Sequence, residues 1–292
     1  MDVVVGAMET TFSSLILLFT VSNLAAMGLQ VKMTEVLPAL RNRKFLAQIF
    51  VWGWIIGPVL GYLITRILPL AEPYAIVVLL ASLAPCAPFL QQMVGRANGD
   101  MGFAGALIPL VAVGTVVLMP LLAPLLIPGL TIDSWALAKP LLLTILLPLI
   151  VGAVIRHYVG AVATVIFPTV KGFALLSTLL TIVWCLVLYG RGMLGTAGEL
   201  ALGAMTLFMV VMGVLPYLIG FGLKKNQRSV MALGMGTRNV AAVLAAALAI
   251  PNADPRIVVM VVMWTLWSVI LAAIGATIFA RQSASAHTGT ET

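Results

Sequence analysis

The sequence predicts an all-α, polytopic membrane protein with nine transmembrane helices, two of them discontinuous and crossed. Three observations carry that expectation. Of 292 residues, 62% are hydrophobic and only 9% charged, and the apolar runs have the ~20-residue length of spanning helices rather than the alternating ~10-residue strands of a membrane barrel. The Lys and Arg residues gather in the short stretches between these runs. Two runs carry helix breakers near their centres, Pro85 and Pro88 in one, Gly234 and Gly236 in the other.

In chain order the spans are expected at 12–31, 46–68, 73–95, 101–128, 136–156, 168–190, 197–222, 228–250 and 256–280. The first run has no basic stretch before it, so it reads as a retained span rather than a cleaved signal. Asp100 opens the fourth span as an N-cap. Residues 158–167 are expected at the interface, with Pro168 starting the sixth span. The small, polar tail 282–292 is expected to be disordered. Alternating sides places Lys32, Arg41, Arg43, Lys44, Arg96, Arg156, Lys171, Lys224, Lys225, Arg228 and Arg281 together, eleven of the sixteen basic residues. By the positive-inside rule that side is cytoplasmic, giving an external N-terminus and a cytoplasmic C-terminus in an inner (plasma) membrane. The formal charge of +7 is thus a topology signal. No basic face with interleaved aromatics points to nucleic acid; the expected partners are the lipid bilayer and a small substrate, and oligomeric state is not legible.

The two interrupted spans lie five apart and so run in opposite directions, the arrangement of inverted repeats whose broken helices meet at the midplane. Arg238 lies ten residues beyond Arg228, roughly 15 Å at 1.5 Å per residue, near the centre of a ~30 Å hydrocarbon core. A lone arginine there costs about 2.5–3.5 kcal/mol on insertion scales, and no Asp or Glu shares its depth. Each break also exposes a half-helix N-terminus with free amide donors. This predicts a positive pocket for the acidic group of an organic anion, held by Arg238 with help from Thr237, Asn239, Gln91 and Gln92. A bracing role for Arg238, and for the two glutamines, is the competing reading. Cys86 and Cys185 have no metal-ligand or disulfide spacing, and packing suffices for both. Ser22, Asn23, Thr265 and Ser268 are polar residues within spans that face either a cavity or a neighbouring helix. Trp52, Trp54, Trp184, Trp264 and Trp267 are better explained by anchoring and lipid contact. No hydrolase or metalloprotease motif occurs, so an enzyme is not expected.

The run Pro85-Cys86-Ala87-Pro88-Phe89-Leu90-Gln91-Gln92, followed by Gly99-Asp100, and the run Gly234-Met235-Gly236-Thr237-Arg238-Asn239 resemble the two crossing-helix motifs of the bile acid:sodium symporter family. Ala26-Met27-Gly28-Leu29 and Pro58 also resemble that family's segments. The resemblance implies a single transporter domain over 1–292 that works by alternating access. Its core would comprise spans 46–128 and 197–280, moving against a panel of spans 12–31 and 136–190. It also implies sodium sites, and here the sequence departs. Gly234 and Arg238 stand where the family has an acidic residue and a glutamine, Leu90-Gln91 replaces a Ser-Asn pair, and Gly53, Ala104 and Ile108 replace further polar ligands. A sodium ion about 4 Å from the Arg238 guanidinium would be repelled by ~4 kcal/mol at an effective dielectric near 20, roughly a thousandfold in affinity. No cofactor is therefore expected, and sodium is left only backbone carbonyls and Gln91. The alternative reading is an arsenite efflux permease, a related family with a similar Ala-Pro-Cys, in which Cys86 would act as a thiol.

Overall fold

The computed structural model describes residues 2–127, 133–198, 200–251 and 253–288. The end of the expected fourth span, Glu199 and the last four residues of the tail lie outside the described residues. The described residues form helices and no strands: α1 (Asp2–Gly28), α2 (Met33–Arg41), α3 (Arg43–Phe50), α4 (Gly57–Ile67), α5 (Glu72–Ser82), α6 (Leu90–Arg96), α7 (Met101–Leu126), α8 (Ser134–Leu141), α9 (Leu147–Tyr158), α10 (Gly160–Gly198), α11 (Ala201–Ile219), α12 (Lys225–Gly236), α13 (Val240–Leu248) and α14 (Pro255–Thr288).

Two wider π-helical turns join α3 to α4 (Val51–Ile56) and α8 to α9 (Leu142–Leu146). Each ends two residues before a proline, Pro58 or Pro148. A proline offers no N–H and its ring crowds the carbonyl four residues back. Widening the turn lets Gly57 and Leu147 bond the fifth residue back, Trp52 and Leu142, so the two helices continue through the proline.

Six of the described helical segments are long and apolar enough to cross a bilayer, and a seventh if Ser14–Gly28 is joined to Met33–Arg41 across an 83° bend. The chain is thus a multi-pass membrane protein. The two interrupted segments, α5 with α6 and α12 with α13, are each made of halves too short to span alone.

The structure moves several expected boundaries. Helix α10 runs 39 residues through Pro168 to Gly198, so residues 160–167 belong to that helix rather than to a separate interfacial segment. Residues 191–196 were expected between the sixth and seventh spans, but α10 includes them, and Leu200, just before α11, takes a left-handed φ of 61°. Helix α14 continues to Thr288 where composition suggested disorder, because nothing between Arg281 and Thr288 is a proline or glycine that would stop it. The second break begins after Gly236, not at it. Gly234 and Gly236 are helical and serve close approach: a Cβ on the first would meet Leu107 at 2.7 Å, and one on the second the Gly213 Cα at 3.0 Å.

Helix α1 packs chiefly on α9 and α10. Helices α4, α5 and α7 and the α11–α14 segments surround the two breaks.

Candidate functional site

Pro85 and Pro88 force the chain out of helix after α5, and residues 83–89 connect it to α6. Thr237 to Asn239 form the second break. The two meet as an antiparallel bridge between Pro85 and Arg238. The Cys86 amide donates to the carbonyls of Gly234 (2.9 Å) and Thr237 (3.0 Å), and the Asn239 amide to that of Ala84 (2.8 Å). Side chains complete the junction. The Thr237 hydroxyl donates to Leu233 O and accepts from the Ala87 amide at 3.1 Å, and Trp54 Nε1 donates to Leu83 O. Asn239 caps α13 by accepting from the Ala242 amide. Broken backbone survives at membrane depth only when its polar groups are paired in this way. Cys86 takes a φ of 72° to do so, a left-handed conformation that the surrounding bonds hold in place.

Arg238 is fully buried. Its Nη2 donates to Met235 O at 2.6 Å and its Cζ lies 4.5 Å over the Phe208 ring, a cation–π contact of the kind that strengthens on desolvation. Its Nε and Nη1 have no hydrogen-bond partner among the described residues. The guanidinium therefore both braces the second break and keeps donor capacity in reserve.

A cavity of roughly 610 Å³ opens between α1 and α10 on one side and the breaks and α14 on the other. The first break contributes Pro88, Phe89 and Gln92; the second, Arg238 with Val240 and Ala241 of α13. Asn23 and Gln30 come from α1 and its end, Lys171 and Thr178 from α10, and Thr265 from α14. Among the described residues, two cations thus line the wall and no carboxylate does.

Of the residues expected at the site, Arg238, Gln92 and Pro88 line this cavity, as do Asn23 and Thr265. Gln91 points into a different cavity, of about 330 Å³, with Lys32, Glu35 and Arg156. The side chains of Thr237, Asn239 and Cys86 are buried, and those of Thr237 and Asn239 are committed to the junction. Cys86 Sγ lies 3.9 Å from Ala87 O and does not line the cavity. Ser22 bonds Ser177 across α1 and α10 at 3.0 Å. Lys171 was counted in the sequence only as a topology charge. It is exposed, with Nζ 5.8 Å over Phe167; its place three residues past a proline in an apolar run was the available signal.

Paired helix breaks beside a cavity with a few polar groups in its wall, in a multi-pass helical protein, define the class of membrane carriers. The sodium bile acid symporter family model matches residues 15–196, and the chain belongs to that family, whose members are transporters and not enzymes. The matched region contains the first break and ends before the second. No curated protein matches the chain.

Proposed function

We propose that the protein carries a small organic anion by alternating access across an inner (plasma) membrane, without sodium coupling. The observation that carries this reading is the wall of the 610 Å³ cavity, which includes Lys171 and Arg238 and, among the described residues, no carboxylate. The volume suits a small molecule with an apolar body. Lys171 meets the acidic group as a point charge, with Gln92, Gln30, Asn23 and Thr178 within the same wall. Arg238 acts from behind as a fixed positive charge at the junction of the breaks. Its unpaired donors and burial argue for an anion nearby and against a bound cation.

In this reading the chain has nine spans, each broken pair counting as one. The antiparallel meeting of Pro85 and Arg238 supports an inverted repeat, and the division into a core and a panel follows the cavity. The N-terminus is outside and the C-terminus cytoplasmic. Cys86 lies off the cavity, which disfavours the arsenite alternative.

Uptake of a panel of labelled organic acids into proteoliposomes, with and without a sodium gradient, tests the reading. Lys171→Gln is expected to raise KM about tenfold, the loss of ~1.4 kcal/mol that a charge-assisted contact supplies. Stimulation of wild-type uptake by sodium would overturn the coupling claim. An unchanged KM in the variant would remove Lys171 from the site.

A further inference from the structure

On the far side of the second break lies a second cavity, about 320 Å³, that the transport reading does not use. Its floor is Ala232 and Gly236 of α12, with Gly213 of α11 and Gly275 of α14. Its rims, Val214 and Leu218 on α11 and Ile274 and Ile278 on α14, are exposed apolar side chains on membrane-spanning helices and so face lipid. Tyr217 and Phe279 stack at 4.5 Å in its wall.

One end of this groove is basic. Lys225, Arg228, Ala232 and Gly236 follow one another at spacings of three, four and four, so the two cations share the helix face that forms the floor. Gln282 lines the groove, and its carbonyl accepts from Lys225 Nζ at 3.3 Å. Arg228 is packed against Gly220, with Nε on Leu223 O at 2.9 Å. From Lys225 to Gly236 is about 16 Å at 1.5 Å per residue, which equals one leaflet of a ~30 Å hydrocarbon core.

We infer that this groove holds one anionic phospholipid, with its acyl chain along Ala232 and Gly236 and its headgroup at Lys225 and Arg228. Depth selects a chain that starts at the surface and ends at the midplane, and the basic end selects a negative headgroup. The bound chain lies against Gly236 and Thr237, directly under the second break. Occupancy therefore packs the break from the side opposite the substrate cavity, and the site stands independently of what that cavity carries.

The test is native mass spectrometry of the purified full chain, titrated separately with phosphatidylglycerol and phosphatidylcholine of identical acyl composition. Wild-type protein is expected to retain one phosphatidylglycerol at least fivefold better than phosphatidylcholine. Lys225→Gln, at an exposed position, should lower phosphatidylglycerol retention about fivefold, the worth of one basic residue near an anionic headgroup, and leave phosphatidylcholine unchanged. Gly275→Leu fills the groove and should lower retention of both lipids. Val214→Trp on the lipid-exposed rim should do the same without disturbing the packed floor. Equal retention of the two lipids by wild type, or wild-type retention by both groove-filling variants, would overturn the site.

Discussion

The two walls of the substrate cavity are built in opposite ways. Around the breaks, residues 83–87 and 229–244 are all buried, and the side chains of Thr237 and Asn239 are bonded to backbone amides at the junction. The facing group, α1 with α9 and α10, is thin: an 18-residue apolar stretch of Gly160–Leu188 is 22% buried and one of Ser134–Tyr158 28%, against 56% for one of Met101–Leu126. What holds α1 to α10 includes short polar links, Ser22 to Ser177 and Asn23 to Thr178. Thr237 and Asn239 at the breaks are thus committed to structure, while Lys171 across the cavity is open to a ligand. A closely packed, buried body facing a thin one across a cavity is also the arrangement that lets one move against the other.

The largest expected effect breaks the thin side. Gly28 and Gly152 bring α1 and α9 to backbone contact: a Cβ on Gly152 would lie 2.6 Å from Ala25 O, and one on Gly28 would run into Leu149 O. Carbonyls cannot rotate away as a side chain can, so the helices must separate. Gly152→Ala should cost about 3 kcal/mol, read as a lowered melting temperature in detergent. The control on the other wall is Gly213→Ala, whose Cβ meets nothing closer than 4.0 Å and which should melt as wild type.

This asymmetry explains what could be read from the chain. The breaks were legible because proline and a midspan arginine carry their physics in a few adjacent residues. Where polar side chains point was not, since Thr237, Asn239 and Gln91 look equivalent to Gln92 in one dimension, and only the packed structure sends one to a junction and another to a cavity. Lys171 was hidden for a related reason. With the sixth span expected to start at Pro168, it appeared as a topology charge at the very end of a span rather than as part of a longer helix facing Asn23 and Gln92.

A smaller effect sharpens the comparison at the breaks. Thr237→Val keeps the side-chain shape and removes the hydroxyl that accepts from the Ala87 amide. An orphaned buried donor costs about 1–3 kcal/mol, so the variant should melt lower, and Thr237→Ser should restore stability. A ligand-contact role predicts the reverse pattern: unchanged melting with a raised KM.

The smallest effect lies at the base of the buried body. Asp100 caps α7 through Oδ1, accepting from the Phe103 amide at 2.9 Å, and through Oδ2 accepts from Gln227 of α12 at 3.2 Å. It ties α7, the span that follows the first broken pair, to α12, the helix before the second break. Asp100→Ala removes both bonds and should cost about 1 kcal/mol, whereas Asp100→Asn retains an oxygen for the cap and should lie close to wild type. The tie is internal to one wall, so neither change should alter KM for the transported anion. A raised KM in Asp100→Ala would mean that the breaks are held less firmly than their burial implies, and that the stiff wall of the cavity depends on this end of it.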